Sequence, residues 1–541
     1  MKLNRESLKN AAEWKSMGVA LPSFDVEQME KNTRANPIWI HFGAGNIFRG
    51  FIARLQQKLL NQGLSQNGII AVDTFDYDII DRIYAPYDNL TLMVGLKADG
   101  KTEKEIVGSV AEALKANTAD EASISRLVEL FCNPSLQMVS FTITEKGYAI
   151  SDLNGQLFPV VKSDVENGPK QAKHAMSIVT ALMYERYKAG AFPVALTSMD
   201  NCSHNGEKLR RSIFEIAKQW KERGFVTQEF VEYLSDETKV SFPWSMIDKI
   251  TPRPAPQIEA ELNAVGISDM KTIITSRNTY IAPFVNAEIP EYLVIEDRFP
   301  NGRPLLEKAG VYFTDRETVN KTERMKVTTC LNPLHTALAI FGCLLGYHRI
   351  SDELNDPALK ELIERIGYDE GMPVVTDPRI IKPQEFIHEV IDDRLPNPFI
   401  PDMPQRIATD TSQKVSIRFG ETIKSYISSP NLDVRNLTYI PLVIAAWMRY
   451  LLALDDQCQS MEVSSDPMLS ELQSMLAEIK VGKPETYKGQ LKPILANVTL
   501  FGTDLCACGL ADRIEKMFCE MLTGVGAVRY TLAKYLKQTN S

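Results

Sequence analysis

The sequence has no run of lysine or arginine, and its formal net charge is −9. This acidic balance offers no basic patch to a nucleic-acid backbone, so a nucleic-acid partner is not expected. Long unbroken apolar runs are missing too. The apolar stretches 331–347 and 439–454 are interrupted by proline, histidine or arginine, which favours buried core helices over membrane spans. We therefore expect no membrane partner.

The chain is poor in the residues that would build a metal centre. Its six histidines are dispersed, and Cys506 and Cys508 form a lone pair without a second cysteine or histidine pair nearby. No metal site is predicted. The eight cysteines are scattered, as in reduced intracellular proteins, and the N-terminal segment MKLNRESLKNAAEWK has no apolar signal core. Both features predict a cytoplasmic location.

Length and patterning indicate the architecture. A chain of 541 residues is too long for one core, so two domains are expected. The first half alternates strand-like and helix-like segments, which is typical of a parallel sheet, and residues 272–296 are expected to extend that sheet. Beyond about residue 325 the patterns are mainly helical. We predict an α/β protein with a Rossmann-type domain at 1–285 and a mainly α-helical substrate and catalytic domain at 286–541.

Residues 37–45, PIWIHFGAG, predict a buried strand that runs into a glycine turn. Apolar residues at helical spacing follow, and GIIAVD at 68–73 predicts a second strand that ends in an acid. These are the parts of a dinucleotide-binding βαβ unit, although Phe48 replaces the third glycine of the fingerprint and Gly50 comes two residues later. The candidate cofactor-binding residues are Gly43, Ala44, Gly45, Asn46, Ile47 and Asp73.

The residues of this turn have defined tasks in that interpretation. Gly43 allows the tight turn, and Gly45 lets a pyrophosphate approach the helix N-terminus. Asp73 can accept hydrogen bonds from an adenosine ribose, which favours NAD over NADP, and Asp76 is its rival. The alternative is a tight turn in an unrelated α/β protein.

The segment KVTTCLNPLH, residues 326–335, places an amine, a carboxamide and an imidazole before an apolar helix. Asn332 is a preferred N-cap residue and Pro333 suits the first helical position, so His335 is predicted to lie in a first turn with free amides. A buried Lys326 with a lowered pKa can remove a proton from an alcohol, while Asn332 and His335 hold the oxyanion. The alternative is an ordinary N-cap, a solvated lysine and a core histidine.

Other polar residues are candidates for substrate contacts. Asn201 follows the strand-like segment 193–200 and could donate to a substrate oxygen, or form an Asx turn. Asp248 lies among apolar residues and could contact a substrate hydroxyl, or fix a loop. Arg394 and Lys414 could clamp a substrate carboxylate or hydroxyls, with a structural role as the alternative for each.

Glu323 precedes Lys326 by three positions. A nearby carboxylate raises the pKa of a lysine, so this pair is not a simple activating arrangement. A proton relay to solvent is one interpretation of Glu323, and a surface ion pair is the other.

Together these motifs resemble the long-chain polyol-specific dehydrogenases, the mannitol dehydrogenase family, from about residue 37 to 535. The segments that carry the resemblance are GAGNIFRG, TITEKGY, SMDN, FPWSMIDKITP, VIEDRFPNGRP, LFGTDL and, most specifically, ERMKVTTCLNPLHTAL. The resemblance implies NAD-dependent, metal-independent chemistry with a lysine base, two asparagines and a histidine that polarise the carbonyl, and a glutamate that relays protons. Carried over to this sequence, these catalytic residues are Lys326, Asn201, Asn332, His335 and Glu323.

One spacing departs from the family pattern. Lys326 and Asn332 are six positions apart, where the family usually has five, so a one-residue bulge is predicted between them. The segment DTSQKVSIRFGETI resembles the uronate-handling members, which makes D-fructuronate and D-mannonate the expected substrate pair.

Several alternatives to that expectation stay open. Mannitol or arabinitol 2-dehydrogenation and tagaturonate reduction belong to the same class of chemistry, and a non-catalytic NAD-binding sensor belongs to another. The expected partner is a small sugar acid or polyol. The expected assembly is a monomer or a small homo-oligomer.

Overall fold

The computed structural model describes residues 1–152 and 154–537, and the chain divides into two compact units. The first unit contains Met1–Lys97 and Lys101–Asn320, and the second contains Ala98–Gly100 and the chain from Lys321 onward. The boundary predicted at 285/286 is therefore too early. The physical reason is strand pairing: the strands between 284 and 314 pair only with strands of the first unit.

The strands are β1 (Val19–Ala20), β2 (Trp39–Phe42), β3 (Ile69–Asp73), β4 (Thr91–Leu96), β5 (Thr102–Val107), β6 (Val110–Lys115), β7 (Met138–Phe141), β8 (Val194–Ser198), β9 (Val240–Ser241), β10 (Ser245–Asp248), β11 (Ile273–Ile274), β12 (Tyr280–Ile281), β13 (Phe284–Glu288), β14 (Tyr292–Glu296) and β15 (Tyr312–Thr314).

The α-helices are α1 (Arg5–Leu8), α2 (Ala11–Ser16), α3 (Val26–Ala35), α4 (Ala53–Asn61), α5 (Glu121–Cys132), α6 (Thr144–Tyr148), α7 (Pro159–Asn167), α8 (Ala175–Gly190), α9 (Asn205–Glu222), α10 (Gln228–Ser235), α11 (Pro256–Ala264), α12 (Arg316–Met325), α13 (Asn332–Leu345), α14 (Ile350–Glu353), α15 (Pro357–Glu364), α16 (Pro383–Glu389), α17 (Pro404–Ile407), α18 (Glu421–Ser428), α19 (Tyr439–Tyr450), α20 (Leu469–Leu476), α21 (Lys492–Leu495), α22 (Val498–Phe501), α23 (Ala511–Met521) and α24 (Ala527–Lys537).

The main sheet of the first unit is fully parallel, with the strand order β6-β3-β2-β7-β8-β9. This is the doubly wound order of a Rossmann fold, and the order reverses between β2 and β7. Both faces of the sheet are buried. Ile40 and Phe42 pack into one apolar cluster and Trp39 into another, as expected of a parallel sheet covered on both sides. The predicted fold class is confirmed.

Residues 272–296 do not extend this sheet, which corrects the expectation from sequence. β13 pairs with β4 in a four-stranded sheet, β14 pairs with β10 and β15 in a three-stranded sheet, and β11 pairs with β12. Their β-branched residues correctly predicted that this segment forms strands. Their partners, far away in sequence, could not be inferred from composition.

The second unit is helical, and its apolar helices are buried. All residues of α19 are buried. The helical stretch Arg316–Leu345 is long and apolar enough to cross a membrane by length and composition, but 78% of its most apolar window is buried inside the protein. The core-helix interpretation of the sequence fits both observations.

Wide turns of the π type interrupt or extend several helices. They lie at Phe48–Ile52, Ile80–Tyr84, Lys326–Cys330, Arg365–Gly371, Val390–Arg394 and Ser416–Gly420. Such turns insert one residue into a helix and occur frequently at functional sites.

Candidate active site

The turn after β2 has a shape that glycine alone accommodates at one position. Gly43 has φ +103°, and a Cβ on it would lie 2.1 Å from the carbonyl oxygen of Thr142, which follows β7. At Gly45 there is nothing within 4 Å of the place that a Cβ would occupy. The backbone at Gly45 is therefore open to close approach, as the pyrophosphate of a dinucleotide requires.

Asp73 ends β3 and binds this turn. Its Oδ2 accepts the N–H of Ala44 at 3.2 Å, and its Oδ1 accepts the amides of Phe75 and Asp76 at 2.8 and 2.7 Å. Burial raises the pKa of Asp73, and the three amides oppose that rise. Oδ2 keeps acceptor capacity for a ribose hydroxyl. The rival Asp76 accepts from Thr275 Oγ1 at 2.6 Å through Oδ2, and its Oδ1 has no hydrogen-bond partner within the described chain. Asp73 is the preferred candidate because it contacts the turn directly.

The π turn at Phe48–Ile52 explains why the fingerprint departs from its usual glycine spacing. Phe48, in the third glycine position, stacks on His41 with ring centroids 4.4 Å apart. A Cβ on Gly50 would lie 2.8 Å from Val285 Cγ1. Gly50 thus provides the close helix–strand packing that the third glycine usually allows, two residues later.

Two further contacts at the turn were not inferred from sequence. Tyr84 donates its hydroxyl to the carbonyl oxygen of Ala44 at 2.9 Å, which fixes the turn from a segment beyond β3. Asn46 and Ile47 are half-buried, and Asn46 Oδ1 is a buried acceptor without a hydrogen-bond partner within the described chain. A buried unsatisfied oxygen at a nucleotide turn fits a site that is completed by a ligand.

Asn201 lies exposed in the loop after β8, at the carboxyl end of the parallel sheet. Asp200 holds this loop: its carboxylate accepts the amides of Ile143 and Thr144 at 2.9 and 3.0 Å and the Tyr148 hydroxyl at 2.6 Å. The SMDN and TITEKGY segments are therefore tied together by Asp200, a role that sequence reasoning missed.

Asp248 is the last residue of β10 and is buried, opposite Tyr292 of β14. Asn201 and Asp248 both belong to the first unit. The other predicted catalytic and substrate residues, Glu323 to Lys414, belong to the second.

Lys326 begins the π turn Lys326–Cys330, and only 2% of its surface is exposed. The N–H of Leu331 donates to the Lys326 carbonyl oxygen at 3.1 Å, five residues back rather than four. The one-residue bulge predicted between Lys326 and Asn332 is therefore confirmed. Glu323 lies half-buried on α12, just before this turn.

The predicted N-cap role of Asn332 is wrong. Leu331 is the cap of α13, Asn332 is its first residue, and the N–H of His335 donates to the Leu331 carbonyl oxygen at 3.0 Å. The amide of His335 is therefore not free, because the π turn leads from α12 directly into α13. Asn332 and His335 remain one turn apart and half-buried, so their side chains can still address one point.

A carboxylate lies beside the ring of His335. Its Nε2 lies 3.3 Å from Asp402 Oδ2, within ion-pair distance but without the alignment of a hydrogen bond. Burial would raise the pKa of Asp402, but His335 and Arg406 outweigh it and lower that pKa. Asp402 was not among the residues predicted from sequence, and its spacing gave no signal.

Arg394 and Lys414 have different surroundings. Arg394 ends the π turn Val390–Arg394 and is buried. The ammonium of Lys414 donates to the carbonyl oxygens of Thr409 and Ile407, at 2.5 and 3.4 Å. Burial, and then the neighbouring Arg418, lower the pKa of Lys414.

The chain is similar to known proteins over most of its length. The family model described as the mannitol dehydrogenase Rossmann domain matches residues 37–308, and that of the mannitol dehydrogenase C-terminal domain matches 318–522. The D-mannonate oxidoreductase of Thermotoga maritima is 55% identical over 98% of this chain and 98% of its own. The D-mannonate oxidoreductase of Escherichia coli is 28% identical over 91% of this chain and 93% of its own.

A solved structure is similar over the whole chain. It is the Pseudomonas fluorescens mannitol 2-dehydrogenase in a ternary complex with NAD and D-mannitol, 27% identical, covering 99% of this chain and 100% of that one with a TM-score of 0.70. The fold and these matches define an NAD-dependent dehydrogenase that acts on a CH–OH group. The chain belongs to the mannitol dehydrogenase family.

Proposed function

We propose that this protein interconverts D-fructuronate and D-mannonate with NAD(H). The observation that carries the proposal is the 55% identity to a D-mannonate oxidoreductase over 98% of both chains. NAD, when bound, accepts the hydride of the alcohol and NADH returns it to the ketone. The tasks left to the protein are to move one proton and to stabilise charge on one oxygen.

Lys326 is the proposed general base. It is almost fully buried, and burial favours the neutral amine, which is the form that accepts a proton from an alcohol. In ketone reduction the same group returns the proton. Glu323, on α12, is the proposed relay between Lys326 and solvent.

Asn332 and His335 are the proposed stabilisers of the substrate oxygen. They lie one turn apart on α13, and the carboxylate of Asp402 lies beside Nε2 of His335. The predicted roles of Asn201 as a further donor and of Asp248, Arg394 and Lys414 as substrate contacts are retained in the proposal.

We further propose that the reaction needs no metal ion. Within residues 1–152 and 154–537, no group of three or more histidine, cysteine, aspartate or glutamate side chains could hold one. The polarising groups are instead an amide and an imidazole. A cytoplasmic location and a monomeric or small homo-oligomeric state also remain proposals.

The test is an NADH-oxidation screen of the purified protein over keto-uronates and neutral ketoses. We expect the highest kcat/KM with D-fructuronate, and the reverse reaction with D-mannonate and NAD. A higher kcat/KM with D-tagaturonate or with a neutral ketose would contradict D-fructuronate as the substrate and indicate another substrate of the family. NADH binding without turnover on any of these compounds would indicate a sensor instead.

A further inference from the structure

Arg418 differs from the structural arginines of this protein in how its donors are used. The buried Arg186 donates to five backbone carbonyl oxygens, which satisfies its guanidinium. Arg418 makes one side-chain hydrogen bond, from Nη1 to Thr336 Oγ1. The other nitrogens of the guanidinium are not fully buried, so they remain accessible to a ligand.

The charge of Arg418 is also uncompensated. The side chain is partly buried, and no carboxylate of the described chain acts on it. Burial lowers its pKa to about 10, with no acidic group opposing that effect. Lys414 lies one turn earlier in the chain. The backbone N–H of Arg418 donates to the backbone carbonyl oxygen of Lys414 at 2.9 Å. Asp410 and Asp466 act on Lys414, whereas no carboxylate acts on Arg418, so the uncompensated charge that favours a bound anion is that of Arg418.

The position of Arg418 relates it to the proposed oxygen-binding residues. It lies on the π turn Ser416–Gly420, which packs against α13 and against the π turn that begins at Lys326. Its partner Thr336 donates in turn to the carbonyl oxygen of Asn332 at 3.0 Å. The Thr336 hydroxyl thus links the guanidinium to the first turn of α13, in which residues 332 and 336 are about 6 Å apart along the helix axis.

We propose that Arg418 binds the carboxylate of the sugar-acid substrate, with Lys414 as its neighbouring cation. The inference rests on the proposed function and adds the residue that selects a uronate over a neutral ketose. In D-fructuronate four carbon–carbon bonds separate the carbonyl carbon from the carboxylate, an extended length of about 5 Å. This length is of the same order as the rise of about 6 Å along α13 from Asn332 to Thr336. The guanidinium fork can bind both carboxylate oxygens, which the ammonium of Lys414, already bonded to carbonyl oxygens, cannot do.

The test compares D-fructuronate with D-fructose, which has the same carbon skeleton without the carboxylate. For Arg418→Gln we expect KM for D-fructuronate to rise about 10- to 100-fold, because charge-assisted hydrogen bonds are lost. Activity on D-fructose and KM for NADH should change little. Arg418→Lys should fall between wild type and Arg418→Gln, because the charge remains and the fork does not. The matched control is Arg435→Gln, an exposed arginine that is paired with Asp433.

The possible failures are distinguishable. If wild type reduces D-fructuronate and Arg418→Gln loses both substrates equally, Arg418 is structural and the inference is wrong. If wild type prefers neutral ketoses and reduces no keto-uronate, the proposed function fails and the inference fails with it. If Arg418→Gln does not fold, Thr336→Val provides the second variant. It removes the hydroxyl that holds the guanidinium and should raise KM for D-fructuronate alone.

Discussion

Leu331 donates its N–H to the carbonyl oxygen of Lys326 over 3.1 Å, a bond that spans five residues. This single wide turn takes up the residue by which the Lys326–Asn332 spacing exceeds the family pattern. Residues on either side keep the directions that they would have in an α-helix one residue shorter. The spacing anomaly is therefore compatible with Lys326 and Asn332 serving the same site.

Lys326→Ala should lower kcat by about 10²–10⁴-fold in both directions, since that is the usual contribution of general acid–base catalysis. The KM for NADH should barely change, because the nucleotide turn lies in the first unit. Steady-state rates across a pH series provide the measurement. Near-normal turnover at every pH would mean that the base lies elsewhere.

Asp73→Ser should narrow the preference for NADH over NADPH. The wild-type carboxylate, buried at the end of β3, repels a 2′-phosphate and can accept a ribose hydroxyl. Its loss should change the relative kcat/KM of the two cofactors by about 1–3 kcal/mol. Asp76→Ser tests the rival carboxylate, which bonds Thr275 and should leave the cofactor preference unchanged if Asp73 holds the ribose. Equal use of the two cofactors by wild type would refute the assignment.

Two glycine variants separate folding from cofactor binding. Gly43→Ala combines a positive φ with a Cβ 2.1 Å from a backbone oxygen, so it should lower Tm markedly. Gly45→Ala meets no atom within 4 Å and should leave Tm unchanged, but its methyl group would stand where the pyrophosphate approaches. We expect a raised KM for NADH in Gly45→Ala. Unaltered NADH binding in this variant would place the pyrophosphate elsewhere.

Sequence patterns predicted the parts of the fold that depend on local order. The strand, glycine turn, helix, strand and acid from residue 37 to 73 all lie where the pattern placed them. The bulge after Lys326 followed from counting residues against the family motif. These features are local, because strand alternation, glycine conformation and helical register are properties of neighbouring residues.

Features that depend on distant partners were missed. Nothing near β13 in sequence indicates that it pairs with β4, and this pairing carries the first unit beyond residue 285. The continuation of α12 into α13 made the N-cap prediction at Asn332 wrong, because Asn and Pro occur inside a joined helix as well as at its start. Arg418 gave no signal of its own, since its uncompensated charge is visible only in the folded chain.

Activity should survive dialysis against EDTA. The proposed polarising groups, Asn332 and His335, are part of α13 and do not depend on an added ion. The measurement is NADH oxidation with D-fructuronate before and after chelation, with Zn²⁺ and Mg²⁺ added back. Loss of activity that either ion restores would refute the metal-independent proposal.

Glu370 links the stability of the second unit to pH. Its carboxyl is buried and accepts the amides of Thr438, Tyr439 and Ile440 at the start of α19, at 2.5, 2.8 and 2.8 Å. Burial nevertheless raises its pKa to about 7 from an ordinary value of 4.5, against the effect of the three amides. Between these two values the folded chain binds a proton that the unfolded chain has released.

The contribution of Glu370 to the free energy of unfolding should therefore be largest below about pH 4.5. It should fall as the pH rises from 4.5 to 7. The total change is about 3 kcal/mol, because each pKa unit corresponds to about 1.4 kcal/mol. Glu370→Gln cannot titrate. The substitution itself should change Tm by an amount that does not depend on pH. Beyond that change, Tm of the variant minus Tm of wild type should increase from pH 5 to pH 7.5. Scanning calorimetry of both proteins over that range provides the test, and a difference in Tm that does not vary with pH would show that Glu370 keeps one protonation state on folding.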